Sequence, residues 1–219
     1  RVLFRSGGHS GARLWNPTTG NELAVGTDAA VVSVAASRDG TLLATGGQRG
    51  SLTVWAATTG DMVQSFTRDG RPAHDRFIND MVFSDDGTLL ASASGSVHGD
   101  QAVRVWNIAT GAEVLSIESP EGAMWDTLGE TPQLAFHPDG AHLAITGFAD
   151  EAARILSVPS GEWESSLVSP GARARGVRYF ADGSRIATSG TYGFISIWDA
   201  ATGDHLFVIA LESEGLRLN

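Results

Sequence analysis

The chain has 219 residues, 42% of them apolar, with a formal net charge of −10 and an isoelectric point near 4.9. That acidic balance argues against nucleic acid or an anionic membrane as the main partner, since both call for a basic face. Cysteine is absent, which excludes a disulfide framework and a thiolate metal site. No apolar run approaches the ~18 residues of a bilayer helix; the best, Ala24 to Ala36, is broken by Asp28. The N-terminus lacks a signal peptide's charged-then-apolar plan, so a cytoplasmic location is expected.

Residues 1–6, Arg-Val-Leu-Phe-Arg-Ser, are also what CGT GTG CTC TTC CGA TCT encodes, the end of a short-read sequencing adapter. They are either a translated library remnant or an ordinary strand leading into Gly7-Gly8. Codons for them at the genomic locus would exclude the first reading, and no functional argument uses them.

Beyond this point the chain repeats. Asp-Gly turns in one register fall at Asp39, Asp86, Asp139 and Asp182, each with an alanine four residues past its glycine: Ala44, Ala91, Ala144 and Ala187. A second landmark, Trp15, Trp55, Trp106, Leu156 and Trp198, is followed four residues later by Thr19, Thr59, Thr110, Ser160 or Thr202 of a Thr-Gly or Ser-Gly corner. Apolar runs between such corners predict short antiparallel strands, and a period of about 40 to 50 residues predicts a radial or solenoidal repeat.

Taken in order, strands c and d of a partial first blade are expected at 12–15 and 22–25 (blade span 7–27). Blade two (28–67) has strands a to d at 31–36, 42–46, 52–55 and 62–66. Blade three (74–118) has 78–83, 89–93, 102–106 and 113–117. Blade four (131–168) has 133–136, 142–146, 153–156 and 162–167, and blade five (174–210) has 176–180, 185–189, 194–198 and 205–209. Residues 211–219 read as the start of another blade. The expected fold class is all-β: a β-propeller of four-stranded antiparallel blades, incomplete at about four and a half blades, an open arc and so a fragment.

Ser84-Asp85-Asp86-Gly87-Thr88-Leu89-Leu90-Ala91-Ser92, Val103-Arg104-Val105-Trp106-Asn107 and Trp198-Asp199 resemble the WD-repeat β-propeller family, over essentially all of residues 7–219. The resemblance implies a buried hydrogen-bonded tetrad in blade three: His74, Ser92, Asp100 and Trp106. Blades two and five keep only Thr45–Trp55 and Thr188–Trp198, with Thr27 and Pro170 at the His position and Arg49 and Tyr192 at the Asp position. Blade four replaces both the tryptophan and its hydroxyl partner, by Leu156 and Ile145, an exchange of a hydrogen bond for an apolar contact; Asp150 is then expected in solvent. The resemblance further implies a prokaryotic multidomain protein in which such an array accompanies a kinase, protease or nucleotide-driven signalling domain.

In a meander the a–b and c–d turns share one face of the disc and the b–c and d–a loops share the other. The tryptophan-to-corner interval never varies, whereas the interval from Asp-Gly turn to tryptophan or Leu156 runs 16, 20, 17 and 16 residues. All length variation therefore falls on the b–c and d–a face, where binding is expected. Its longest loops, 67–76, 94–101 and 118–130, carry the candidate partner-binding residues Arg71, Asp75, Arg76, Trp125 and Asp126. Trp125 lies off the strand register, and either contacts a partner or packs beneath its own loop.

No catalytic constellation emerges. The six histidines lack H-x-x-x-H spacing, no glycine-rich phosphate loop opens a helix, and Arg173, Arg175 and Arg178 read as a solvated rim. The expectation is a non-catalytic scaffold for a protein or peptide partner, without cofactor or metal, with further blades outside these residues and, as the resemblance implies, an effector domain beside them. The alternative is an enzyme-type propeller, a quinoprotein-like dehydrogenase or hydrolase, with ligands converging on a central channel. That would need carboxylates or histidines where the a strands begin, at Val31, Ile78, Pro132 and Arg175.

Overall fold

The computed structural model describes residues 30–95, 99–118, 131–147, 152–169, 173–190 and 193–210, together with the backbone of three earlier strands. Those three, β1 (Leu3–Ser6), β2 (Ala12–Trp15) and β3 (Glu22–Ala24), form one antiparallel sheet. Leu3–Ser6 thus pairs in the place of a strand b. Blade two comprises β4 (Val31–Ala36), β5 (Leu42–Gly47), β6 (Leu52–Ala56), β7 (Met62–Arg68) and a short β8 (Arg71–Pro72). Blade three holds β9 (Asp80–Phe83), β10 (Leu89–Ala93), β11 (Ala102–Asn107) and β12 (Glu113–Glu118). Blade four holds β13 (Leu134–Phe136), β14 (His142–Ile145), β15 (Ala153–Ser157) and β16 (Trp163–Leu167), and blade five β17 (Ala174–Tyr179), β18 (Arg185–Gly190), β19 (Phe194–Asp199) and β20 (His205–Ala210). Each sheet is an antiparallel meander, and the set forms an incomplete β-propeller, an open arc rather than a closed barrel. No helix among the described residues is long and apolar enough to cross a membrane.

Consecutive sheets meet through their innermost strands, β1 on β4, β4 on β9, β9 on β13 and β13 on β17. Strands b and c are consequently covered on both faces, which is why Leu42–Gly47 and Ala102–Asn107 are buried almost throughout instead of alternating. Trp106 illustrates the layering: its ring lies 5.5 Å from that of Phe66, on strand d of the preceding blade. Leu167 shares a core with Trp198 in the same way, and Ile117 packs on the core that includes Leu156. In blades two to five the c–d pair carries a register shift just before the landmark residue, at Val54/Trp55, Val105/Trp106, Ile155/Leu156 and Ile197/Trp198. A bulge there turns the side chain toward the neighbouring blade.

The Asp-Gly corners are side-chain-locked. Ser37 donates to Asp39 Oδ1 at 2.5 Å, and Asp39 accepts the Thr41 amide at 3.0 Å. Ser84, Asp86 and Thr88 repeat the arrangement. The Ser37 hydroxyl, then the Thr41 amide and hydroxyl, hold the Asp39 carboxyl down at about 2.

The structure corrects two expectations. The 67–76 segment is not wholly loop: Asp69-Gly70, a further Asp-Gly pair outside the repeat register, closes a hairpin between β7 and β8. Both residues have positive φ, 49° and 74°, the requirement of a two-residue primed turn. Strand a of blade three begins at Asp80 instead of Ile78, so a carboxylate does stand at one inner-strand start.

The buried polar chain and the candidate interaction face

His74 lies in the d–a connection after β8 and is wholly buried. Its amide donates to Gly50 O at 3.1 Å, which seats the connection on the b–c turn of blade two. Gly50 has φ of 74°, and a Cβ there would fall 1.6 Å from His74 O. From this seat the ring reaches into blade three. Trp106 Nε1 donates to Ser92 Oγ at 2.9 Å, Ser92 Oγ lies 2.8 Å from His74 Nε2, and His74 Nδ1 lies 3.1 Å from Asp100 Oδ2. Nδ1 also lies 2.9 Å from Arg104 Nη1, so it faces both an acceptor and a donor, while the Ser92 hydroxyl, which accepts from Trp106, is left to donate toward Nε2. Burial pushes the His74 pKa below its ordinary 6.5, against the raising effect of Asp100. Burial raises that of Asp100, but the hydrogen bond and charge of the His74 ring and then the charge of Arg104 outweigh it, leaving Asp100 well below 3.8.

Arg104 extends the chain and was not singled out by the sequence. It is fully buried on β11, two residues before Trp106, where blades two and five have Thr53 and Ser196. Its guanidinium pairs with Asp100 and donates to Glu118 at 3.0 Å; Glu113 lies 3.4 Å from its Nε. Glu118 also accepts from Arg68 at 3.2 Å, and Arg68 in turn reaches Asp75 at 3.4 Å. An unbroken polar series thus runs from exposed Asp75 to buried Trp106 across two blades. A strand covered on both faces shows no alternation that would mark this position as inward, and an arginine buried there has to be compensated.

Elsewhere the series is abbreviated. Trp55 donates to Thr45 and Trp198 to Thr188, both at 2.9 Å. In blade five Ser169 donates to Ser196 at 3.0 Å. Ile145 and Leu156 are both fully buried in one apolar cluster with Leu143 and Phe136. Thr27, Asp150, Pro170 and Tyr192 lie outside the described residues.

The turns sort by face. Inter-blade contacts on one side are a–b to a–b, as in the Arg38–Asp85 ion pair and His137 Nε2 at 3.0 Å from Gly183 O. On the other side b–c turns meet d–a connections: Gly50 O with the His74 amide, and the Gly95 amide donating to Asn79 Oδ1 at 2.8 Å. Of the candidate partner-binding residues, Arg71, Asp75 and Arg76 come together in the connection between blades two and three, all exposed. Trp125 and Asp126 lie outside the described residues.

Along the inner strands are cavities of about 200 Å³, lined by residues including Met81, Leu134, Phe136 and Arg178, and about 310 Å³, lined by residues including Gln133, Val177 and Ser189. Asp80, the inner-strand carboxylate, accepts the Leu134 amide at 2.8 Å. Burial raises its pKa, opposed by the Leu134 and Met81 amides and by Arg178. It splices two blades together.

Bladed meanders whose tryptophans donate to a neighbouring strand's hydroxyl define a repeat-built propeller. Residues 20–56 and 62–107 match the family model described as WD domain, G-beta repeat, each match running from one blade's strand d to the next blade's strand c. Those two stretches are WD repeats by that match. It is 29% identical to human angio-associated migratory cell protein over 77% of this chain and 34% of that protein. It is 33% identical to mouse apoptotic protease-activating factor 1, over 63% of this chain and 13% of the relative. With eukaryotic translation initiation factor 3 subunit I of Coccidioides immitis the identity is 32%, over 60% and 36%. The matches therefore span about a third or less of these relatives' lengths.

Proposed function

We propose that this chain is a non-catalytic scaffold that holds a protein or peptide partner on its b–c and d–a face, with Arg71, Asp75, Arg76, Trp125 and Asp126 among the contacts. The observation that carries the reading is the confinement of loop-length variation to that face. The opposite face carries turns of fixed length, joined between blades by Arg38 with Asp85 and by His137 with Gly183. Relatives named as a subunit of a translation initiation factor and as a factor that activates a protease support a partner that is itself protein. Arginine and tryptophan are the residue types most enriched at interface hot spots, which favours Arg71, Arg76 and Trp125.

The test is a combined Arg76→Glu and Trp125→Ala variant, compared with the parent for melting and for capture of partners identified by mass spectrometry and then purified. Unchanged melting with affinity reduced by roughly thirtyfold or more supports the reading, since truncating a hot-spot aromatic removes about 2 kcal/mol or more. Lowered stability with unchanged capture by the folded fraction places Trp125 beneath its own loop. Substitutions at the Thr59 and Thr110 corners are the control; loss of capture there would reverse the face assignment.

A further inference from the structure

The turn between β13 and β14 gathers His137, Asp139 and His142, whose ligand-capable atoms all lie within 4.8 Å of one another. His137 Nδ1 is 2.9 Å from Asp139 Oδ1, and His142 Nδ1 is 2.8 Å from Asp139 Oδ2. The far nitrogens face groups that only accept: His137 Nε2 is 3.0 Å from Gly183 O, and His142 Nε2 is 3.4 Å from Glu164 Oε2. His137 is therefore set to carry hydrogen on Nε2 and to offer its Nδ1 lone pair, while His142, with a carboxylate near each nitrogen, offers Nδ1 to a metal once its hydrogen sits on Nε2 toward Glu164. A carbonyl or carboxylate behind the ring is the usual outer support of a metal-bound histidine. At His137 the Nδ1 lone pair also faces Asp139 Oδ1, a repulsive pairing unless positive charge lies between them. The Asp139 amide, 3.1 Å from His137 Nδ1, supplies only a partial one.

We infer that this turn binds one divalent transition-metal ion of the zinc, nickel or copper type through Nδ1 of His137, the Asp139 carboxylate and Nδ1 of His142. Imidazole with carboxylate suits those ions better than magnesium or calcium. Tetrahedral bonds of about 2.0–2.2 Å set ligand atoms about 3.3–3.6 Å apart, so each histidine nitrogen, 2.8–2.9 Å from a carboxylate oxygen, needs to part from it by only about half an ångström. They are free to do so, with side-chain exposures of 23%, 39% and 34%. The fourth position opens to solvent.

The repeat itself shows that the fold does not demand these residues. Where His137 stands, blades two and three use Ser37 and Ser84; where His142 stands, they use Leu42 and Leu89. The seat for His137 is also built by the next blade. Its ring meets Tyr179 edge-on at 5.0 Å, and Gly183 makes room, since a Cβ there would lie 2.5 Å from His137 Nε2. The site lies on the fixed-turn face, so it stands apart from the partner-binding proposal.

The experiment titrates the chelator-stripped full chain with Zn²⁺ by calorimetry and with Co²⁺ by visible absorption, alongside His142→Leu and His137→Ser. These variants install the residues blades two and three already carry. One equivalent of zinc should bind the parent saturably and displace the cobalt signal, and each variant should lose affinity by about ten- to hundredfold. Absence of saturable uptake at millimolar zinc, or the parent's affinity kept by both variants, overturns the site. If a variant misfolds, paramagnetic broadening by Ni²⁺ in the parent's amide spectrum decides: supportive if centred on residues 137–142, contrary if centred elsewhere.

Discussion

At the scale of single residues, His74 is where acid enters the molecule. An unfolded histidine takes up a proton as pH falls through 6.5, while buried His74 resists it, so stability falls with acid from 6.5 down to the lower folded value. Asp100 acts lower in the range: its contribution is present above 3.8 and is lost as pH falls through its depressed folded value. Urea midpoints should therefore drop more between pH 7.5 and pH 5.5 in the parent than in His74→Ala; matching slopes would refute the neutral buried imidazole. At neutral pH the same variant should be less stable by about 1–3 kcal/mol, because Ser92 and Asp100 lose a partner inside the protein. Four members of this chain were readable because blade three resembles the WD-repeat pattern, with His74 nine residues before Phe83 and Asp100 six before Trp106. Arg104 was not, since nothing in a linear pattern says that an arginine between Val103 and Val105 is inward-facing and compensated by Glu118 from the adjacent strand.

Among the elements, blade four tests whether the tryptophan–hydroxyl bond is exchangeable. Ile145→Thr alone should cost about 1–3 kcal/mol by burying an unpaired hydroxyl. Adding Leu156→Trp should recover part of that loss, and a double-mutant cycle in denaturant should show favourable coupling of about 0.5 kcal/mol or more; strict additivity would mean the blade has repacked beyond return. The β7–β8 hairpin offers a cleaner case. Nothing lies within 4 Å of a Cβ built on Gly70, so Gly70→Ala meets only the backbone cost of φ at 74°. It should lower stability by about 1 kcal/mol in chemical denaturation while leaving the Arg68–Glu118 pairing intact. Strand positions were legible because corners recur at constant offsets, and most expected ends match the structure within two residues. The hairpin was missed because Asp69-Gly70 falls outside that register. Blade three's inner strand starts later than expected because Ile78 O accepts the Ser33 hydroxyl of blade two and Asn79 Oδ1 accepts the Gly95 amide of its own b–c turn.

Across the whole molecule, each blade leans on the one before it. Phe66 and Leu167 are covered by the following blade, while Ile209, at the same distance past its own tryptophan, is 45% exposed. Leu206, Phe207 and Val208 beside it are exposed to a similar degree, so an apolar outer strand meets solvent at the end of blade five. Such arrays behave nearly as one-dimensional chains of neighbour couplings. The polar series from Asp75 to Trp106 stitches blades two and three more tightly than any other junction among the described residues. Amide hydrogen exchange should accordingly read out a gradient in time: β10 and β11 slowest, β5 and β6 next, and β19 and β20 earliest. His74→Ala should speed exchange in blades two and three together while leaving blade five's clock where it was. A buried imidazole thereby becomes a timing element, setting the order in which a repeating molecule lets go of its deuterium-free core.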